Sequence, residues 1–257
     1  PEESVNLLAH AAEQRGIRVE TIDPRDFDFA PESVIPAGDL MFRPAVSMHA
    51  IRVEQHLWHD GIGTFHMDQD GPLFSNINAP QTFARAGLPV PRTVWLARSD
   101  RDLTRRMVES LGGLPVVVKL NGYSHGVGVM RGDSWPTLFS LLDYVLAEGG
   151  RPAITTYVPD AVHWRLVVVG NEVVGSYRNP MDEDDFRTSG PEDDVDYAAE
   201  PPAGAVELAV KACHALRTAH GGVDVLEHPS GRLYLLEANF PCYYPQAQLY
   251  GGADVAG

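Results

Sequence analysis

The chain has 257 residues, of which 44% are hydrophobic and 21% charged, which excludes disordered, collagen-like and coiled-coil proteins. Its 20 basic and 35 acidic residues give a formal net charge of −15, which opposes general binding to nucleic acids or anionic membranes. The two cysteines, Cys213 and Cys242, form no Cys-x-x-Cys pattern, and no apolar run has membrane-spanning length. We therefore expect a cytoplasmic protein with no nucleic-acid or membrane partner, and homo-oligomer formation stays open.

The first 75 residues carry the alternating helix and strand signals of a small open α/β domain. Apolar residues at helical spacing end at Gly16, where period-two alternation begins. The predicted helices lie at 4–15 and 46–58, and the predicted strands at 17–21, 40–42 and 64–66. The sequence opens without Met on a helix pattern and closes at Gly257, so we expect elements to be missing at both ends.

Two further units follow, with predicted boundaries at 76–152 and 153–257. The predicted helices cover 79–86, 103–111, 134–147 and 205–219. The predicted strands cover 93–97, 115–118, 153–158, 164–169, 172–177, 223–227 and 233–237. Between 182 and 200, nine acidic residues accompany one basic residue, Arg187, and we predict an exposed loop there.

A lysine stands where a β-branched strand enters a glycine-rich loop. Lys119 ends the run that starts at Pro115, and Gly122, Gly126 and Gly128 follow it. Glycines let main-chain amides approach phosphate oxygens, and a lysine supplies a point charge to the same anion. Because the loop lacks Gly-Lys-Ser/Thr, it is not a Walker A motif. A plain hairpin turn with an exposed lysine is the alternative interpretation.

The second chemical signal is a carboxylate and an amide at the end of an apolar strand. Glu237 and Asn239 are two residues apart, so both side chains point to one side of the strand and can present oxygens to a hard cation. Asp224, on the neighbouring predicted strand, could add a third ligand. The alternative is that these residues simply form a solvated strand end.

These signals occur in a fixed order with several arginines, and together they resemble the ATP-grasp family and, within it, the RimK-type amino-acid ligases. The resemblance covers most of the chain. It implies an α/β fold in which a two-part ATP-grasp follows a small open α/β domain lacking its first strand. The similar segments include 84–91, Lys119 with its glycine loop, 163–170, Phe186-Arg187 and Glu237-x-Asn239.

The resemblance implies a role for each matched position. Lys119 would contact the ATP phosphates, and the flap over them would be formed by Gly122, Ser124, Gly126 and Gly128. The adenine slot would be lined by Thr155, Thr156, Tyr157 and Val158. Magnesium would be held by Asp224, Glu237 and Asn239, with Mn²⁺ as a substitute. The transferred phosphate or the substrate carboxylate would face Arg165, Arg178 and Arg187.

The implied activity is an ATP- and Mg²⁺-dependent, ADP-forming carboxylate–amine ligase. A carboxylate attacks the γ-phosphorus of ATP to give an acylphosphate, and an amine then displaces phosphate and forms an amide. Neither step needs a protein nucleophile, so charge cancellation by a metal and arginines is the main requirement. Three alternatives stay open: a macrocycle-forming peptide ligase of the same family, an ATP-grasp kinase that stops after phosphorylation, and a nucleotide-binding module without catalysis.

The sequence departs from the family pattern at three places. Ser75-Asn76 replaces the usual Asp-Lys, which removes one phosphate-contacting lysine. Acidic residues follow Phe186-Arg187 where basic ones are usual, so we predict a neutral or cationic acceptor. His163 stands where relatives often carry an acid, and an exposed strand histidine is the plain interpretation. Arg43 resembles a substrate-facing arginine of the family, with a plain surface arginine as the alternative.

Overall fold

The computed structural model describes residues 2–29, 35–68, 79–120, 126–181, 184–188 and 194–257. Its helices are α1 Glu2–Gln14, α2 Met48–Leu57, α3 Ala79–Arg85, α4 Arg101–Leu111, α5 Trp135–Ala147, α6 Asp194–Ala198, α7 Ala205–Ala215 and α8 Pro245–Leu249. Its strands are β1 Thr93–Trp95, β2 Val116–Leu120, β3 Val129–Gly132, β4 Pro152–Thr156, β5 Val162–Val169, β6 Glu172–Asn179, β7 His220–Glu227 and β8 Leu233–Asn239.

The strands form two antiparallel four-stranded sheets. The first has the order β1-β4-β2-β3 and the second the order β6-β5-β7-β8. Helices α4 and α5 cover one face of the first sheet, and α7 covers one face of the second. Each sheet therefore buries one face against these helices. The other face of the second sheet is covered in part, because Cys242, Tyr244 and Ala247 pack on Val167 and Tyr177.

Strand alternation directs the candidate residues to the faces opposite α4, α5 and α7. In β2, Val116 and Val118 are fully buried against α4 and α5, so Lys119 points to the opposite face. In β7, Val223 and Val225 pack against α7, so Asp224 lies on the opposite face. The two-residue alternation of side chains along β2 and β7 thus places the valines in the core and the charged groups on the opposite face.

The predicted sheet of the first 75 residues is wrong. Residues 17–21 form no strand, and Ile17 is 58% exposed. The other two predicted strands appear only as isolated bridges, Leu40 with Gly63 and His66 with Thr218. An alternating pattern is not sufficient, because a strand also needs neighbours that supply its hydrogen bonds.

Several later elements also differ from prediction. The acidic segment predicted as a loop contains helix α6, although 182–183 and 189–193 lie outside the described residues. Strand β3 and helix α8 were not predicted. The helix predicted at 205–219 ends at Ala215, because Arg217 has a φ of +57° and strand β7 begins at His220. Helix α3 inserts Phe83 into the core of the second sheet, although we assigned it to the preceding unit.

Candidate active site

Two carboxylates face each other across strands β7 and β8. Asp224 and Glu237 are direct cross-strand partners, so their side chains lie on the same face of the sheet. The amide nitrogen of Asn239 donates to Glu237 Oε1 at 2.8 Å. Asp224 is 3% exposed, whereas Glu237 is exposed to solvent. The predicted metal ligands therefore come together.

Arg165 of β5 holds the buried Asp224 with two nitrogens. Its Nη2 donates to Oδ2 at 3.1 Å, and its Nε lies 2.7 Å from Oδ1. Gly222 makes room for this side chain, since a Cβ there would lie 2.6 Å from Nη1 of Arg165 and 2.5 Å from Sγ of Cys242. A glycine on β7 is thus required by the arginine of the neighbouring strand.

The two carboxyl groups have opposite pKa shifts. Burial acts to raise the pKa of Asp224, but Arg165 and His163 outweigh burial and the net pKa lies below its ordinary value. Burial and the adjacent Asp224 raise the pKa of Glu237. Arg165 therefore stabilises the charged form of Asp224, whereas the charged form of Glu237 is destabilised by repulsion from Asp224.

Lys119 reaches the same cluster from the first sheet. Burial lowers the pKa of its ammonium group, while Glu237 and Asp224 act to raise it. These interactions place the ammonium within electrostatic range of both carboxylates. The predicted phosphate contact and the predicted metal ligands, which lie far apart in sequence, are therefore brought together between the two sheets.

The chemistry of this donor set fits a divalent cation. A cation beside Glu237 would cancel the repulsion that raises the pKa of that group, and carboxylate and amide oxygens are suitable ligands for Mg²⁺. Asp224 Oδ1 is buried beside Arg165 Nε and His163 Nε2, and neither contact is a well-aligned hydrogen bond. Over the part of the chain that the structure describes, no group of three or more His, Cys, Asp or Glu side chains is arranged as a metal site. The present set has two carboxylates and one amide.

The predicted adenine segment lies at the end of β4. Its two threonine hydroxyls are used internally, because Thr155 Oγ1 donates to the carbonyl of Arg92 and Thr156 Oγ1 to that of Leu111. Val158 is partly exposed in the connection to β5. The segment borders an open cavity of about 560 Å³. The cavity is lined by Leu111, Gly112, Gly113, Leu114, Pro115, Arg131, Thr156, Tyr157, Pro159 and Asp160.

Tyr157 supplies an aromatic wall to this cavity. The guanidinium carbon of Arg131 lies 4.6 Å from the centroid of its ring. The ring of Phe186, which precedes Arg187, contacts Tyr157 edge to face at 6.5 Å. Arg131 has no counterpart in the predicted site, since β3 itself was not predicted.

Arg187 connects the second sheet's loop to the glycine-rich loop. Its Nη1 donates to the carbonyl of Gly126 at 3.2 Å, and its backbone and side chain both bond to Asp185. Gly126 and Gly128 have positive φ angles of 73° and 76°, which glycine adopts without strain. Gly122 and Ser124 lie outside the described residues, as does the Ser75-Asn76 pair.

The structure does not bring Arg178 to the carboxylates. Arg178 is the cross-strand partner of Trp164, which packs into the α7 core, so its backbone position belongs to the opposite face. Its Nη2 lies 3.3 Å from Asp196 Oδ1 in α6. Arg178 therefore joins α6 to the edge strand β6.

The surface interpretation fails for His163, and for Arg43 it was one of two open alternatives. The side chain of His163 is 11% exposed and contacts Asp224, so the interpretation as an exposed strand histidine is wrong. Arg43 pairs with the buried Glu54 at 2.7 Å and lies over the ring of Phe240. The available signal for His163 was its position two residues before Arg165, which puts both side chains on one face.

The fold and the converging charges define the ATP-grasp class of ATP-dependent ligases. The RimK-like ATP-grasp domain matches residues 75–257. The chain belongs to the RimK-like ATP-grasp family, which confirms the predicted family, the α/β fold class and the ATP-dependent, amide-forming ligase activity. The fold implies binding of ATP and Mg²⁺.

Two named relatives align with nearly the whole chain. A ribosomal protein bS6–L-glutamate ligase of Escherichia coli O7:K1 is 29% identical over 272 residues, covering 99% of this chain and 89% of that protein. A probable alpha-L-glutamate ligase of Klebsiella pneumoniae is 26% identical over 269 residues, covering 98% and 89%. These relatives place the first 75 residues within the shared length.

Solved structures share the fold. The ATP-grasp ligase PsnB, complexed with a minimal precursor, Mg and ADP, gives a TM-score of 0.71 at 15% identity, covering 99% of this chain and 90% of that one. A RimK domain ATP-grasp protein from Sphaerobacter thermophilus gives 0.62 at 18% identity, covering 99% and 92%. In the described ranges, none of the helices is both long and apolar enough to cross a membrane.

Proposed function

We propose that this ligase joins the carboxylate of an amino acid or peptide to an amine through an acylphosphate, with ATP converted to ADP. One observation carries the proposal: the Lys119 ammonium from the first sheet lies within electrostatic range of the carboxylates of Asp224 and Glu237 from the second. A triphosphate with its metal is the ligand that needs a lysine and carboxylates around one centre.

Glu237, Asn239 and Asp224 would hold Mg²⁺, with Mn²⁺ as a substitute. The bound cation would supply charge neutralisation at the β- and γ-phosphates. The raised pKa of Glu237 suits this role, since cation binding relieves the repulsion from Asp224. Arg165 keeps Asp224 ionised and fixed in its orientation.

The cations of the site have separate tasks in the proposed reaction. Lys119 binds the phosphates, and Arg187, with its side chain 43% exposed, faces the transferred phosphate or the substrate carboxylate. The cavity beside Tyr157 would receive the adenine ring, and its size is in the range of small-molecule sites. We leave Arg178 out of the catalytic set because of its register with Trp164.

The acceptor is proposed to be peptide-like and neutral or cationic. One named relative is a ligase of ribosomal protein bS6, and the PsnB structures contain a precursor peptide. Segment 182–200 carries nine acidic residues and one basic residue, so a net negative charge remains after Arg187 pairs with Asp185, and it disfavours acidic acceptors. The two free cysteines suit a reducing cytoplasm, where we place the protein.

The test is ADP release over a panel of amino acids and peptides, with mass analysis for a condensation product. We expect ADP and an amide to appear together, dependent on Mg²⁺, and both to be lost in Glu237→Ala. A stable phosphorylated product without an amine requirement would identify a kinase. Thermal stabilisation by ATP and Mg²⁺ without ADP release from any pair would identify a binding module.

A further inference from the structure

We propose that His163 is a positioning residue that fixes the segment carrying Arg187 to the candidate metal carboxylate Asp224. Its Nε2 lies 3.1 Å from Asp224 Oδ1, and its Nδ1 lies 2.6 Å from Thr188 Oγ1. The ring thus spans the distance between a carboxylate of the sheet and a hydroxyl of the neighbouring loop. The role of this connection in the reaction rests on the function proposed above.

The position of His163 in the fold explains how one ring makes both contacts. His163 precedes Arg165 by two residues on β5, so both side chains lie on the face that carries Asp224. The two ring nitrogens point in different directions: Nδ1 forms a hydrogen bond with Thr188, and Nε2 makes a close charged contact with Asp224 that is not a well-aligned hydrogen bond. With 11% of its side chain exposed, the ring is held between these partners and not extended into solvent.

Because Thr188 follows Arg187 directly, its bond to His163 also restricts the position of Arg187. The backbone of Thr188 pairs with Met181 in an isolated antiparallel bridge, and Arg187 precedes it directly. Arg187 in turn donates to the carbonyl of Gly126, beyond the strands of the first sheet. A continuous set of contacts therefore runs from Asp224 through His163 and Thr188 to the glycine-rich loop.

The two contacts of the ring can be separated by substitution. In His163→Asn the side-chain amide takes the place of Nδ1 and retains a partner for Thr188. In His163→Gln the amide extends to the place of Nε2 and retains a partner for Asp224 only. Thr188→Val removes the hydroxyl at nearly constant shape, whereas Thr188→Ser retains it.

The first readout is trypsin cleavage after Arg187 in the complete chain, followed by mass analysis. Cleavage needs local opening of the segment, so its rate, divided by the rate for the same bond in the urea-unfolded variant, reports how firmly Thr188 holds it. We expect cleavage to be about fivefold faster in Thr188→Val and His163→Gln, the factor that corresponds to one net hydrogen bond. Thr188→Ser should stay near the wild-type rate. His163→Asn, which loses only the contact with Asp224, should be cleaved faster than the wild type and more slowly than His163→Gln, and cleavage after the exposed Arg98 should not change.

A double variant and the kinetics complete the test. His163→Gln with Thr188→Val should be cleaved no faster than either single variant, because both remove the same bond. The KM for ATP should rise in Thr188→Val and stay constant in Thr188→Ser. Equal cleavage rates for Thr188→Val and Thr188→Ser would overturn the proposal. This comparison does not depend on whether His163→Gln folds. Cleavage does not need activity, so a failure of the proposed function would be seen separately, as absence of amide in the wild type.

Discussion

Asp224 and Glu237 are direct cross-strand partners whose carboxyl groups have opposite pKa shifts. Arg165 neutralises the negative charge of Asp224. Glu237 is exposed to solvent and is repelled by the neighbouring carboxylate of Asp224. A divalent cation would restore the balance at this pair. The pair of carboxyl groups therefore favours the binding of a cation.

Glu237→Gln should abolish Mg²⁺-dependent turnover while leaving the fold intact, because the amide removes the charge that the cation requires. Calorimetric titration of Mg²⁺ into the protein saturated with a non-hydrolysable ATP analogue measures the loss directly. Glu172→Gln, on the exposed start of β6, is the matched control and should bind the metal as the wild type does. Unchanged metal binding in Glu237→Gln would remove this residue from the site.

Gly222→Ala should lower both stability and activity. The added methyl group would meet Arg165 and Cys242 at distances that force both of them to move, at a cost of about 1–3 kcal/mol in the free energy of unfolding. Combining Gly222→Ala with Cys242→Ala removes one of the two clashes, so we expect stability to recover in part and activity to stay low. Full recovery of activity in the double variant would show that Arg165 had not been displaced.

Lys119→Met should raise the KM for ATP by about 10- to 100-fold, the range expected for loss of a charge-assisted phosphate contact. Lys119→Arg keeps the charge and should have a smaller effect. The chain has one other lysine, Lys211, which is paired with Glu207 on the surface of α7, and Lys211→Met is the control. Steady-state kinetics at saturating acceptor distinguish the variants, and equal KM values for both methionine variants would exclude the phosphate contact.

His220 should make the protein less stable in acid. Burial lowers the pKa of this ring to about 4, with a partial opposite effect from its bond to the Val168 carbonyl. Between the ordinary pKa of 6.5 and about 4, the unfolded chain takes up a proton that the folded chain does not. Stability is therefore unaffected above pH 6.5 and falls as the pH drops, by roughly 3 kcal/mol in total.

The variant His220→Phe tests this explanation, because Phe42, Phe65 and Phe240 already surround the ring. Urea unfolding at pH 7 and pH 4.5 should show a smaller loss of stability in the variant than in the wild type. An identical pH dependence would mean that other groups cause the acid sensitivity.

Some members of the charged cluster could be predicted from the sequence, because local strand periodicity was enough to give the direction of their side chains. Lys119 and Glu237 each end an apolar strand, so strand type and side-chain direction could be predicted without the fold. Gly222 could not be explained in this way, because its requirement comes from Arg165 on another strand. The burial of His163 likewise depends on Thr188 and Asp224, which are distant in sequence.

Arg178 and the first 75 residues illustrate the same limit. A family pattern aligned Arg178 with the site, but the register of β6 with β5 decides its face. The alternation over 17–21 predicted a strand, and the structure provides no partner for it among the described residues. Pairing between distant segments is the information that local patterns lack.

The central claim is that Lys119 and the Glu237 carboxylate surround one Mg²⁺–ATP complex, and amine-reactive labelling measures it. With a lysine-selective reagent and peptide mass analysis, Mg²⁺ and ATP together should protect Lys119 but not Lys211. Protection should be lost or greatly weakened in Glu237→Gln. If the nucleotide leaves Lys119 as reactive as before, or protects it equally in Glu237→Gln, the two residues do not share a ligand and the claim is contradicted.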